Sequence, residues 1–500
     1  MNQLRKLVIV LCGLLSLQSF AQTTPCREIV GYYPGWQWYD RNQLVRPATI
    51  DYSKYTILQY AFLNMDASGN LNVFDPWGDK NLLLGQINWS VAPAGYDAAY
   101  DLGNPDYHVP GTSLADYAHE NDVKLLVSLG GWTLSSLFPG IAADPVKRDN
   151  FASQCALICG LYDLDGVDID WEYPGYAPHN GTPADAANFT LLLQDIRDAL
   201  DEKELEMNRE LLLTAAVGAA ASHQANYEWN NIVPLLDIIN VMTYDFYGSF
   251  DPLLNHNSPL YAPAQGDAEF NCASSIERLL NEYGVPADKL TMGLPFYGRT
   301  QLSNTTPQLF GQGNGQVDLQ NFGQDEGTPL YYNILLAEGF TNYWDAQASV
   351  PYAINETNNS FLSYDDVQSI TAKSQYIADM NLRGAIIWEI TGDYVETSPG
   401  SGVIASTPLV NAVNEVFCAT PQSVTEAQEA APALWPNPAV SELHITAKAG
   451  ITPEIMTPDG RTLHTDCRRI NAQYVMDVSG LASGIYLVKA GAHTLRFVRE

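Results

Sequence analysis

Basic side chains are scarce in this chain. Lys and Arg number 25 against 57 Asp and Glu over 500 residues, a formal net charge of −32. That excludes a nucleic-acid binder, which needs a cationic face against the phosphates, and it argues against docking on an anionic membrane. Cysteine is sparse too: seven residues, none in a CxxC pair, so neither zinc nor thioredoxin-like chemistry has support. No stretch reaches the roughly 18 continuous apolar residues of a transmembrane helix. No Gly-rich phosphate loop follows the first strand-like run, which counts against an open doubly wound sheet. Charged residues make up only 16% of the chain, while 46% is hydrophobic and 11% aromatic. A large core can therefore be buried, and disorder by composition is excluded.

The first 21 residues read as a signal peptide. Arg5 and Lys6 precede an apolar run from Leu7 to Leu17, and Ser19-Phe20-Ala21 supplies small residues for cleavage before Gln22. Cys12 leaves with it. The six remaining cysteines allow fifteen complete pairings, and an exported chain permits disulfides. Cys26 and Cys418 flank the main segment, so a bridge between its two ends is one expectation.

The acidity is concentrated in one segment. Residues 432–500 carry seven basic and six acidic side chains, net +1, whereas 22–431 carry 16 basic and 51 acidic, net −35. Residues 419–432, rich in Ala, Gln, Thr, Glu and Pro, read as a linker. The tail, 433–500, holds short apolar runs such as Leu443 to Ile445 and Ile485 to Val488. Turn residues at Pro453, Asp459-Gly460 and Ser483-Gly484 separate them, and a small β-sandwich is expected.

Within 22–418, eight strand-like runs recur: Ile29 to Tyr33, Thr56 to Leu63, Val123 to Leu129, Val167 to Trp171, Leu211 to Val217, Ile238 to Thr243, Leu290 to Leu294 and Ala385 to Ile390. Helical spacing lies between some of them, as at Phe189 to Lys203 and Tyr364 to Met380. This pattern predicts an α/β fold, a (β/α)8 TIM barrel. About sixty residues separate the second and third runs and about ninety the seventh and eighth. The region near 300–362 is expected to be a small α+β insertion. Chemistry in such a barrel sits at the carboxyl ends of the strands, where this sequence places Trp132, Asp170, Glu172, Tyr244, Asp245 and Trp388. Aromatic faces there can stack on sugar rings while polar neighbours bind hydroxyls.

Residues 165–172 read Asp-Gly-Val-Asp-Ile-Asp-Trp-Glu. Strand side chains alternate faces, so Asp168, Asp170 and Glu172 share one face, and Val167, Ile169 and Trp171 the other. Three acids inside a barrel cannot all ionise cheaply. At least one pKa must rise, which is how a carboxylic acid stays protonated near neutrality to act as a general acid. A calcium loop does not fit the spacing, and no metal site is expected.

With these residues in view, the chain resembles glycoside hydrolase family 18, the chitinases. Asp165 to Glu172 matches the family's DxxDxDxE signature, Ser128-Leu129-Gly130-Gly131 its SxGG motif, and Met242-Thr243-Tyr244-Asp245 its sixth-strand motif. Met292 to Arg299 and Gly384 to Trp388 resemble its seventh and eighth. The insertion after the seventh strand resembles the deep-groove bacterial subgroup. The resemblance implies hydrolysis of chitin or chito-oligosaccharides without a cofactor, with retention, the substrate's own 2-acetamido group being the nucleophile. It implies Glu172 as acid, Asp170 as the group orienting the acetamide, Asp168 sharing its proton, and Tyr244 donating to the acetamide oxygen. Asp245 is expected to contact the sugar at the cleavage point and Trp388 to lie beneath it. Tyr32, Phe62, Trp132, Met242, Tyr297 and Arg299 line or support the groove. An endo-β-N-acetylglucosaminidase would use the same chemistry; a chitin-binding lectin of this fold would lack Glu172.

In the tail, Trp435-Pro436-Asn437-Pro438, Pro458-Asp459-Gly460-Arg461, Val478 to Val488 and Arg496-Phe497-Val498-Arg499 are similar to a type IX secretion sorting domain. That implies the outer-membrane secretion machinery as a partner and a secreted or cell-surface location. The enzyme is expected to be a monomer.

Overall fold

The computed structural model describes residues 26–418, 434–446, 452–458, 461–470, 473–490 and 493–500. The signal peptide, the 419–432 linker and the Asp459-Gly460 turn lie outside them. The chain divides into two units, Met1–Ala419 and Thr420–Glu500.

In the first unit all eight expected runs are strands: Glu28–Pro34, Ile57–Met65, Lys124–Gly130, Gly166–Asp170, Leu212–Gly218, Ile238–Met242, Leu290–Pro295 and Gly384–Trp388. Each pairs in parallel with the next, and the first pairs with both the second and the eighth, so the sheet closes into a barrel. Closure removes both edges. Nearly every residue of these strands is buried on both faces, as a parallel sheet under helices requires. The alternation has two destinations. Ile29, Tyr33, Leu58, Val127, Ile169 and Leu213 pack outward in the main core. Val30, Tyr32, Ile57, Ala61, Leu126, Ile238 and Ile386 fill the lumen.

Helices cover the outside. Asp144 caps Pro145–Leu161 by accepting from the Val146 amide. Asn208, at φ +51, ends Asp185–Met207 in the left-handed conformation. Asp366 and Ser369 form a capping box on Val367–Asp379. The expected insertion is a four-stranded antiparallel sheet in the order Thr341–Asp345, Val350–Asn355, Ser360–Ser363, Arg299–Leu302, with short helices at Leu319–Phe322 and Tyr331–Leu336.

Cys26 and Cys418 form a disulfide with Cα atoms 4.7 Å apart. Cys155, Cys159, Cys272 and Cys467 are free. Closing a loop of 392 residues restricts the unfolded chain strongly, typically by about 2–4 kcal/mol and more in the pure chain-entropy limit. Cys418→Ser should therefore lower the thermal midpoint by roughly 3–8 °C with kcat unchanged. Scanning calorimetry of oxidised wild type and variant checks this; equal midpoints would show the bridge to be energetically silent.

In the second unit, two four-stranded sheets share one apolar core. Leu443, Ile445 and Met476 come from one sheet, and Ile455, Val488 and Phe497 from the other. This is the expected small sandwich. Among the described residues no helix is long and apolar enough to cross a membrane.

Candidate active site

The carboxyl ends of the barrel strands open into a cleft of about 1100 Å³. Asp170 and Glu172 line it together with Tyr32, Phe62, Trp132, Met242, Tyr244, Asp245, Arg299 and Trp388. The structure thus brings ten of the twelve expected residues to one surface. The other two stand behind it.

Asp168 is one of these two. It is fully buried in the lumen, and both its oxygens are occupied. Tyr32 Oη and Ser128 Oγ each donate to Oδ2 at 2.9 Å; Thr214 Oγ1 and Asn240 Nδ2 donate to Oδ1 at 2.5 and 3.3 Å. These donors come from four other strands. Gln59 in turn donates to Thr214 at 2.9 Å, and Thr291 to Asn240 at 2.7 Å. One polar layer therefore crosses an otherwise apolar barrel. Burial raises the Asp168 pKa, and the four hydrogen bonds oppose the rise. No hydrogen bond joins Asp168 to Asp170, so the proton sharing expected between them has no direct path in this arrangement.

Asp170 differs sharply. It is 3% exposed, and its Oδ1 has no hydrogen-bond partner among the described residues. Burial, then the charges of Glu172 and Asp168, push its pKa well above the usual carboxylate range. Glu172 lies just beyond the end of the fourth strand and is half-buried. Burial, reinforced by the charge of Asp245, raises it to about 7. The pair behaves as one coupled acid system that holds a proton at neutral pH.

Several neighbours fix this row. Gly130 and Gly131 take φ of +116° and +74°. A Cβ at Gly130 would stand 2.2 Å from the Asp170 carbonyl oxygen, and one at Gly131 2.7 Å from the Phe62 ring. The two glycines of the SxGG run are therefore steric requirements of the site. Trp171, on the outward face, stacks on Phe138 with ring centroids 5.2 Å apart. Ser135 escaped the sequence reading. Its Oγ donates to the Gly131 carbonyl at 2.8 Å and accepts from the Glu172 amide at 2.7 Å. Asp165, the first acid of the motif, sits at the opposite end of the strand. There it accepts from the Leu125 amide and meets His119, each at 2.8 Å.

Tyr244 is half-buried, and its hydroxyl bonds no group among the described residues. Asp245 Oδ1 accepts from Tyr297 Oη and Arg299 Nε, each at 2.5 Å. Tyr297 is the second residue behind the surface: buried, it supports Asp245 and packs against Tyr244. Trp388 forms an aromatic bed with Tyr32, Phe62 and Trp36, with centroids 5.4, 5.9 and 6.4 Å away. Trp36 and Trp132 are each more than half exposed. The cleft can therefore grip apolar ring faces along its length, deliver a proton from Glu172, and present a buried carboxyl beside it. Among the described residues no His, Cys, Asp or Glu cluster could hold a metal ion.

Residues 28–393 match the model of glycosyl hydrolases family 18, and residues 433–499 that of a secretion system C-terminal sorting domain. The chain is 36% identical over 411 residues to Chitinase A1 of Niallia circulans, covering 75% of this chain and 58% of that one. It is 30% identical over 482 residues to Chitinase ChiA of Flavobacterium johnsoniae, covering 81% of this chain and 29% of that one. It thus spans less than two thirds of either relative. Among solved structures, Chitinase ChiA74 from Bacillus thuringiensis superposes with a TM-score of 0.67 at 28% identity, covering 95% of this chain and 85% of that one.

Proposed function

Because the chain belongs to glycosyl hydrolases family 18, we propose that it is a secreted chitinase. It cleaves β-1,4-linked N-acetylglucosamine polymers with retention of configuration. The observation that carries this reading is the pair Asp170 and Glu172, one deeply buried and one held near pKa 7, at the floor of an aromatic-lined cleft.

The sugar to be cleaved rests on Trp388, and the glycosidic oxygen lies at Glu172. Glu172 donates its proton to that oxygen as the bond to the anomeric carbon breaks. The acetamide carbonyl oxygen of the same sugar attacks that carbon from the other face, giving an oxazolinium ion and a free chain end. Asp170, as a carboxylate, accepts a hydrogen bond from the acetamide N–H and balances the positive charge. The unbonded Tyr244 hydroxyl donates to the acetamide oxygen. Glu172, now a carboxylate, removes a proton from a water that attacks the anomeric carbon and reopens the ring. Two inversions leave the β-anomer. Asp168, held by its four donors, anchors the polar layer below Asp170. Asp245, clasped by Tyr297 and Arg299, contacts the sugar at the cleavage point.

The sorting-domain match accounts for the location: residues 433–499 deliver the protein to the secretion machinery. Purified enzyme should release soluble oligomers from colloidal chitin, with the β-anomer first in the proton NMR spectrum. It should leave a high-mannose glycoprotein intact. Cleavage of the glycoprotein alone would assign the same chemistry to N-glycans instead.

A further inference from the structure

The segment from Leu254 to Leu260 is irregular in conformation, yet every one of its residues is buried. Loops normally run over the surface, where water satisfies their polar groups; a buried one must find protein partners. Here the partners lie on several elements. Asn255 Nδ2 donates to the Gln265 carbonyl at 3.0 Å, and His256 Nε2 meets the Asp345 carboxylate of the insertion sheet at 3.0 Å. Ser258 Oγ donates to the Thr243 carbonyl at 2.6 Å and accepts from Lys373 Nζ at 2.7 Å. Lys373 is itself paired with the buried Asp365 at 2.8 Å.

Asn257 lies at the centre. Its amide donates to Ser363 Oγ of the insertion sheet at 2.7 Å, and its carbonyl accepts from the Phe246 amide at 3.0 Å. Its side-chain Oδ1 accepts from the Asp245 amide at 3.0 Å. Asp245 itself stands at φ +61°, a region that residues other than glycine seldom occupy and that persists only where the surroundings over-determine it. The two bonds from Asn257, one on Asp245 and one on the next residue, supply that determination.

We propose that Asn257 is a positioning residue of the hydrolytic site: it clasps the Asp245 turn in its left-handed form and so holds the Asp245 carboxylate on Tyr297 and Arg299, beside Glu172. The inference rests on the reading of Glu172 as the acid and extends it to the residue that sets the acid's surroundings. After burial, the Asp245 charge is the influence that raises Glu172. Other groups face Glu172 as well: Asp170 from the fourth strand, Tyr173 and Tyr244 from just beyond strand ends, and Tyr227 from between two short helices. His179 Nδ1 lies on the Glu172 carbonyl, His223 stacks on Tyr173, and Arg299 offsets part of the Asp245 field. Of these groups only Asp245 is bonded to Asn257. The insertion sheet thereby bears on the acid through Ser363 and Asn257.

The test is a carboxyl ¹³C titration of glutamate-labelled protein, with the Glu172 resonance assigned by its loss in E172Q. In Asn257→Ala the Glu172 midpoint should fall by roughly half a pH unit or more. kcat/KM on chito-oligosaccharides at pH 6 should fall roughly tenfold. Adding Asn257→Ala to Asp245→Asn should cost nothing further, because both remove the same carboxylate. An unmoved midpoint in folded Asn257→Ala, or a fully additive loss with Asp245→Asn, would overturn the inference. If Asn257→Ala does not fold, Ser363→Ala, which removes the acceptor behind Asn257, decides by the same titration, with a smaller downward shift expected. Failure of the wild type to cleave chito-oligosaccharides would count against the proposed function alone, since the titration needs no substrate.

Discussion

Glu172→Gln should lower kcat on chito-oligosaccharides by roughly 10²–10⁴-fold while the oligomers bind nearly as before. The amide keeps the shape of the carboxyl and its place in the cleft, so the aromatic bed of Trp36, Phe62 and Trp388 still holds the rings. What is lost is the proton. The pH profile supplies an independent check. Glu172 is raised to about 7 by burial and Asp245, so below pH 7 the protonated acid is present, and above it the acid form drains away. Wild-type kcat/KM should therefore fall on an alkaline limb near pH 7, and the residual activity of the variant should show no such limb. Stopped assays for rate and calorimetry for binding would decide. Near-wild-type turnover in E172Q would sink the assignment.

Asp170→Asn should be the second severe loss, roughly 10²–10³-fold in kcat, without a fall in stability. Asp170 is a buried acid whose Oδ1 bonds nothing among the described residues. As an ion it is costly there, and the folded state raises its pKa. A group whose folded pKa is raised binds protons more tightly when folded. Its contribution therefore declines as pH rises from the unfolded value through the folded one. A neutral amide of the same shape escapes that cost, so the thermal midpoint at pH 7 should hold or rise while turnover collapses. Residues retained for chemistry at the expense of stability behave in this way. A variant that lost stability and activity together would mark Asp170 as a structural residue.

The eight strands were legible because parallel strands buried on both faces read as short apolar runs, and each run lies within two residues of its strand's ends. The acid row was legible because alternation within one strand needs no tertiary information: Asp168, Asp170 and Glu172 declare their common face within five residues. The Cys26–Cys418 pairing was only one of many that the cysteine count allowed. Other features depend on register between strands. Thr214 and Asn240 are single polar residues in apolar runs, a visible signal, but their bonds to Asp168 require the fifth and sixth strands to align with the fourth at one level. Ser135 reaches the site from a short helical turn 37 residues before Glu172, and Asn257 from a loop 12 residues after Asp245. Nothing periodic marks either residue, because their roles are set by where a turn places one oxygen.

The sulfur bridge that ties the two ends of the first unit also has a mechanical meaning. The sorting tail joins the chain beyond Cys418, and Cys418 directly follows the last helix, Pro408–Phe417. Without the bridge, traction on the tail would peel that helix from its free end, one turn at a time. With Cys418 fastened to Cys26, the pull arrives at a point already tied to the start of the first strand. Unravelling from that end is blocked until a covalent bond breaks. A pull transmitted through the tail therefore stops at the clasp rather than at the cleft.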